Sequence, residues 1–427
     1  MAQKLSIDHL TKIEGHATLA LQVEGSTVKK CELSSIEGAR YFEGLVKGKH
    51  YSEASEITSR ICGICSCAHT LAAIMAVENA LDVKPSRQTV NLRKLLAIGE
   101  RIRSHATHLY FLALPDYVGH ESVLSMLPKY LPQVKSALKM TRVGNALIRV
   151  VGGRDLHPVS ATIGGFLKIP SPLQVAGLAK ELASIRKDAI ATARLFAGFK
   201  NPKAGSAGEF FSLYDGRSYP LFYGSIKSGE HSFSQSDYAS YLREYHEPYS
   251  TANFVVREGK TYCVGALARI NNNFEFLSPA ARRLAEEAGI AFPNTNPYLN
   301  NYSQALELVH YVDEAIGVCK QLSRVSFEPV PKTESIASRG IAAIEVPRGV
   351  LWHEYLLDGD GTITFANIVT PTAQNLRKMQ EDIRQVLPSL LSLPRKKVVL
   401  KVEELIRAYD PCFSCSTHFL KVKWLRK

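Results

Sequence analysis

Long apolar runs are missing from this sequence. The longest, such as 109–114, stop far short of the roughly 20 consecutive apolar residues that a membrane-spanning helix needs. The opening residues, Met1-Ala2-Gln3-Lys4-Leu5, lead into no apolar core, so no secretory signal is visible and a cytoplasmic location is expected. Internal repeats and low-complexity linkers are absent too. Polar bias is lacking: 45% hydrophobic and 22% charged residues exclude a disordered or fibrous chain. Cysteine is scarce, at 8 in 427 residues, which excludes a disulfide scaffold. Nor is there a basic stripe with interleaved aromatics. The net charge of +12 comes from scattered cations, apart from Arg395-Lys396-Lys397 and the basic end at 421–427, which argues against a nucleic-acid partner.

What is present is periodicity, in blocks. Polar alternation over 17–23 and 28–34 around Gly25 predicts a hairpin in a β-rich part, 1–60. Helical spacing begins near Cys65 and strengthens after Pro85-Ser86. There Leu92, Leu95, Gly99, Ile102, Ala106, Leu109 and Ala113 share one face. Gly99, Ala106 and Ala113 are small, so a second helix can approach closely, as in the middle of a bundle. A further helix is predicted over 171–196, within a helical part spanning 61–200. Residues 203–265, rich in Gly, Ser, Tyr and Phe, read as strands and loops. In 266–418, helices at 278–288, 299–322, 372–390 and 401–408 alternate with strands at 341–351 and 362–369. The expected fold is α+β and mainly helical: a central bundle of long helices with small N-terminal and mid-chain β segments.

The cysteines are unevenly placed. Cys31, Cys263 and Cys319 stand alone in apolar stretches and read as packing residues. Cys62-Gly63-Ile64-Cys65 and Cys412-Phe413-Ser414-Cys415 are two Cys-x-x-Cys pairs, with Cys67 close to the first. Paired cysteines in an intracellular chain read as metal-binding or redox before they read as disulfides. A structural four-cysteine zinc site is the commonest outcome. Zinc ribbons, however, join their halves through short connections, whereas Cys62 and Cys412 lie 350 positions apart. A large folded core must separate the halves and place the site at its centre. Spacing alone leaves zinc and a catalytic metal both open.

The flanks narrow the choice. Arg60-Ile61-Cys62-Gly63-Ile64-Cys65 with His69, and Asp410-Pro411-Cys412-Phe413-Ser414-Cys415-Ser416-Thr417-His418, resemble the two signatures of the nickel–iron hydrogenase large subunit. The resemblance extends through Lys12-Ile13-Glu14-Gly15-His16, Phe42-Glu43-Gly44, His105-Ala106-Thr107-His108 leading to Asp116, and Gly152-Gly153 with His157-Pro158. It continues in Val346-Pro347-Arg348-Gly349 and Thr370-Pro371-Thr372 with Asn375. Lys12, Val346 and Ala373-Gln374 depart from the usual Arg, Ala and Thr-Trp without removing a ligand. The pattern looks most like the cytoplasmic multi-subunit branch, whose members exchange electrons with NAD(P), F420 or other carriers.

What the resemblance implies is specific. The chain would be one large-subunit domain over 1–427 that reversibly splits dihydrogen into protons and electrons. Cys62 and Cys412 would be terminal on nickel. Cys65 and Cys415 would bridge to an iron carrying carbon monoxide and cyanide, a soft-ligand site. Arg60 and Arg348 would offset the buried negative charge, with Pro347 beside Arg348, and His69 would donate to a bridging sulfur. Cys412 or Arg348 would act as the base and Glu14 as the proton relay. Asp116 and Asp410 would stand around the open face of the metals, and His105 and His108 are either satisfied core histidines or part of a proton path. Glu43, His418 and the Leu376 carbonyl would bind a separate hard cation, usually magnesium. Electrons would pass to iron–sulfur clusters in a small subunit, with diaphorase-like subunits beyond it. A maturation protease and nickel-insertion factors would process the chain and remove 419–427. A metal-free relative from quinone-reductase machinery and a zinc-stapled binding protein are the alternatives.

Overall fold

A computed structural model describes residues 2–37, 42–202, 204–205 and 208–417. Its centre is the helix Ser66–Ala80, in which every residue but Asn79 is buried. A helix without a solvated face must lie in a core, and this one is lined by Ala68, Ala72, Ala73 and Ala76 so that neighbours come close. The closest neighbour is the strand Ser338–Val346. A β-carbon on Gly340 would stand 1.9 Å from the Ala76 carbonyl oxygen, so only glycine fits there.

Long helices surround this core. Arg87–Thr107 packs on Val123–Gly152 and on Leu299–Gln321, which in turn packs on Pro172–Ala197. The small face predicted at Gly99 is a backbone contact: β-carbons on Gly99 and Gly144 would meet each other's helix at 3.0 and 2.7 Å. Past Thr107 the helix loosens into a π turn, His108–Ala113, a distortion frequent at functional sites. The helix Val123–Gly152 lies within the helical part expected over 61–200 and carries Pro128 and Pro132. The chain absorbs both at a kink, where Tyr130 leaves helical geometry.

The sheets are small. Ala2–Ile7, Ala17–Glu24 and Thr27–Ser35 form an antiparallel meander, the last two being the predicted hairpin. A second meander joins Ser338–Val346, Gly349–Leu357 and Ile363–Val369. The single strand expected over 341–351 is therefore two strands, with a tight turn at Pro347-Arg348. Apolar residues resume directly after Pro347-Arg348-Gly349, so the two strands read as one segment. Among the described residues no helix is long and apolar enough to cross a membrane.

Two glycine substitutions should act in opposite directions. Gly340→Ala should cost about 1–3 kcal/mol through overpacking against Ala76. Gly317→Ala, in a helix where a β-carbon meets nothing within 4 Å, should stabilise by roughly 0.5–1 kcal/mol. Denaturant unfolding of both variants checks the pair.

Candidate metal centre

Four sulfurs converge at the inner end of the buried helix. Cys62 and Cys65 sit on the turn that enters it, and Cys65 is its N-cap residue. Cys412 and Cys415 arrive from the far end of the chain, after the helix Arg395–Ala408. Three contacts seat them: the Cys412 amide donates to Thr372 Oγ1 at 2.9 Å, the Phe413 amide donates to the Glu14 carbonyl at 3.0 Å, and Glu14 and Cys412 pair as a parallel bridge. Gly15 is required beside them, because at φ +81° its β-carbon would lie 2.8 Å from the Ser414 nitrogen. All four ligand atoms fall within 4.8 Å of one another, and all four residues are buried. Cys62 and Cys412 Sγ are 3.8 Å apart, the separation of two thiolates bound at about 2.3 Å and a tetrahedral angle to one ion.

The electrostatics ask for a cation. Hydrogen bonds from Cys412, Cys415 and Cys65 hold the Cys62 thiol well below its ordinary range, whereas burial pushes Cys412 well above it. Four buried sulfurs carry charge together only when metal replaces their protons. Arg348 supplies one fixed cation. It is buried, donates from Nη1 to Cys65 Sγ at 3.2 Å, and holds Asp410 through Nε to the carbonyl (2.7 Å) and Nη2 to Oδ1 (3.1 Å).

Arg348 is aimed by its turn. Gly349, at φ +135°, lets the turn press on Val264, which a β-carbon would meet at 2.4 Å. Behind the turn, Arg269 donates to the carbonyls of Val346 (2.8 Å) and Pro347 (3.0 Å) and to the carboxylates of Glu307 and Glu345. Burial opposes ionisation of Glu307, yet the Arg269 guanidinium holds its carboxyl well below the usual range. Glu307 also takes His105 Nε2 at 2.8 Å and Tyr219 Oη at 2.6 Å. Sequence reading missed this hub. Its signal was a charge inside apolar runs, as in Leu306-Glu307-Leu308 and Ile344-Glu345-Val346.

Acid–base groups reach the sulfurs from the other side. Cys412 Sγ donates to Glu14 Oε2 at 2.8 Å, and Ser414 donates through its hydroxyl to Oε1 and through its amide to Oε2. Glu14, Arg348, His108, Ile64 and Leu112 line a cavity of roughly 480 Å³, mostly apolar. Among the described residues, the Ser104 and Thr141 hydroxyls on its wall have no protein partner and offer points to hold water. His108 donates from Nε2 to the Arg407 carbonyl (2.8 Å), and Gln304 links its Nδ1 to Asp410 Oδ2. His69 lines the thiol cavity, and its Nδ1 is 3.1 Å from His353 Nε2, which continues to Tyr355 Oη at 2.7 Å. Burial pushes His69 down to about 4, so it is neutral at physiological pH.

One expectation is corrected. Arg60 does not meet the sulfurs: its side chain is 45% exposed and approaches Glu56 at 3.8 Å, because the turn before Cys62 points it outward. Asp116 is buried between Lys12 and Arg407, whose Nη1 is 2.7 Å from Oδ2. Of the hard-cation set, Glu43 Oε1 accepts the Ile368 amide at 2.9 Å. Leu376 is buried within the helix Pro371–Leu390, where a carbonyl already serving the helix ladder keeps one lone pair. His418 lies outside the described residues.

Comparison with known proteins agrees with this geometry. A profile described as nickel-dependent hydrogenase matches residues 40–136 and 296–418. Sulfhydrogenase 1 subunit alpha of Pyrococcus furiosus is 33% identical over 98% of each chain. NAD-reducing hydrogenase HoxS subunit beta of Cupriavidus necator is 26% identical over 98% of this chain and 96% of that one. Among solved structures, an NAD+-reducing [NiFe]-hydrogenase in its H2-reduced state superposes with TM-score 0.87 at 25% identity, covering 97% of this chain and 99% of that one. The fold and its four-sulfur site define a hydrogen-activating oxidoreductase. The chain belongs to the nickel-dependent hydrogenase family.

Arg269 gives the site its most sensitive support. Arg269→Met should leave Glu307 and Glu345 buried without their cation and cost about 3–5 kcal/mol, read as a lower denaturant midpoint. Arg339→Met removes an ion pair whose arginine is 48% exposed and should fall in the range of about 0–1 kcal/mol.

Proposed function

We propose that the chain is the catalytic subunit of a nickel–iron hydrogenase. Cys62, Cys65, Cys412 and Cys415 would hold nickel and iron, the iron bearing carbon monoxide and cyanide. One observation carries the reading: four buried thiols within 4.8 Å, with a guanidinium on Cys65 and a carboxylate on Cys412. The donor set fits soft metals. A structural zinc site would be closed, whereas a cavity adjoins this one. When bound, the metals polarise dihydrogen for heterolytic cleavage.

The chain's own residues then handle the proton. Arg348 fixes positive charge beside Cys65 and contributes no acceptor, so the Cys412 sulfur is the better base. Glu14 takes the proton from Cys412 on Oε2 and releases it from Oε1, where Ser414 is already hydrogen-bonded. Asp410 holds Arg348 in place, and Asp116 tethers Lys12 and Arg407.

Electrons must leave the chain. Among the described residues the four cysteines form the one such metal-ligating group. Burial pushes the remaining thiols up, Cys31 and Cys263 to about 12 and Cys319 to about 11, and Cys67 well above its ordinary range. They are inert and scattered, so an iron–sulfur small subunit receives the electrons, with diaphorase-like subunits beyond it in a cytoplasmic complex. Glu43, the Leu376 carbonyl and His418 hold magnesium, and the chain is one unit from which a maturation protease removes 419–427 after nickel insertion.

Elemental analysis and an infrared spectrum test the metal assignment, since nickel with iron and bands from bound carbon monoxide and cyanide are expected. Zinc in place of nickel and iron refutes it. Cys→Ser at any of the four ligands should abolish nickel retention and activity, whereas Cys319→Ala should do neither. Glu14→Gln should leave the infrared bands unchanged and lower turnover by about 10²–10⁴, the worth of a positioned acid–base group. Turnover within a few-fold of the parent would move the relay elsewhere. Intact mass of the nickel-loaded protein reads the tail: loss of 419–427 is expected, and a full-length mass excludes cleavage.

A further inference from the structure

The first cysteine pair sits where a helix begins, and this creates a conflict. An N-cap side chain normally accepts one of the free amides in the first turn. Cys65 occupies that position and makes no such bond. A sulfur committed to metal is poorly placed to make one. The amides are met from another helix instead. Glu100 Oε2 accepts from the Cys67 nitrogen at 2.9 Å and the Ala68 nitrogen at 3.3 Å. One turn further along Arg87–Thr107, Arg103 reaches the opposite side of the same segment, donating from Nη2 to the Ile64 carbonyl at 2.6 Å. Its Nη1 donates to the Asp155 carbonyl at 2.6 Å, and Glu100 and Arg103 stand 3.9 Å apart. Their exposures are 1% and 7%. Gly63, between the two cysteines, has open space where a β-carbon would be, so packing does not hold the middle of the segment.

We propose that Glu100 and Arg103 are positioning residues of the metal site, clamping the Cys65 end of Cys62-Gly63-Ile64-Cys65 from before and after Cys65 so that its thiol keeps metal-binding spacing to its neighbours. The pair also balances charge. A carboxylate at the start of the helix Ser66–Ala80 satisfies its amides but adds negative charge near sulfurs that already carry it. Arg103, three residues on, offsets that charge while taking the carbonyl that precedes Cys65. Glu100 also takes a hydrogen bond from the Cys67 thiol, but neither residue contacts Cys62, Cys65, Cys412 or Cys415 through a side chain, so both act on the ligand pair through the backbone. The inference rests on the nickel–iron reading above.

The test uses the matured complex with Glu100→Ala, Glu100→Gln and Arg103→Lys. Nickel and iron per chain are measured through a timed chelator challenge, alongside the infrared bands and a thermal melt. Glu100→Ala should lose nickel about 10–100-fold faster than the parent, as expected when a group supporting a metal ligand is removed. Its infrared bands should broaden as Cys65 takes more than one orientation. Glu100→Gln keeps an acceptor for the two amides and should restore retention to within a few-fold. Arg103→Lys keeps the charge but cannot bridge two carbonyls, and should release nickel faster while melting near the parent. Parent-like retention and sharp, unshifted bands in Glu100→Ala overturn the clamp. If that variant does not fold, parent-like retention in Arg103→Lys overturns it instead. A parent without nickel and iron overturns the underlying reading, and shows in the parent alone.

Discussion

Four sulfurs from opposite ends of the chain must share one buried volume and carry negative charge there. The rest of the architecture follows from that constraint. A charge taken out of water is tolerated only beside an opposite charge and a full set of hydrogen bonds, and the structure supplies them in alternating layers. Arg348 faces Cys65 and Asp410. Arg269 lies behind the turn that carries Arg348. Glu307 and Glu345 face Arg269, and Arg101 bonds the Glu345 carbonyl and lies over Tyr311. Glu307 and Arg101 of this set stand on the long helices Leu299–Gln321 and Arg87–Thr107.

Much of this was legible in the sequence, for reasons that differ between elements. The cysteine pairs, the hairpin over the first strands and the small face at Gly99 are local patterns, and each names its own physical role. The Pro347-Arg348 turn was hidden because only two residues separate Val346 from Gly349 and the apolar pattern resumes at once beyond them. Val123–Gly152 falls in the helical part expected over 61–200, but its kink at Tyr130, between Pro128 and Pro132, is not readable from periodicity. Arg60 misled because adjacency to Cys62 in sequence is not adjacency in space: the short turn at Ser59–Ile61 sends its side chain outward. Long-range pairings such as Arg269 with Glu307 and His69 with His353 leave no spacing to read.

The two cysteine pairs are held by different means. The first enters a buried helix, and the backbone around Cys65 is bonded by Glu100 and Arg103 of one neighbouring helix. The second follows Asp410, whose φ of +50° turns the chain sharply, and is stitched to distant segments by a few bonds. Glu14 provides two of those stitches. Its carbonyl accepts the Phe413 amide and its carboxylate accepts Cys412 and Ser414, so one residue both seats the second pair and offers it a proton acceptor. The backbone contact does not depend on the side chain. Removing carboxylate character alone can therefore leave the sulfurs where they are, which makes the chemical role of Glu14 separable from its structural one. No such separation is available at Arg348, where the guanidinium that faces Cys65 is also the group that holds Asp410.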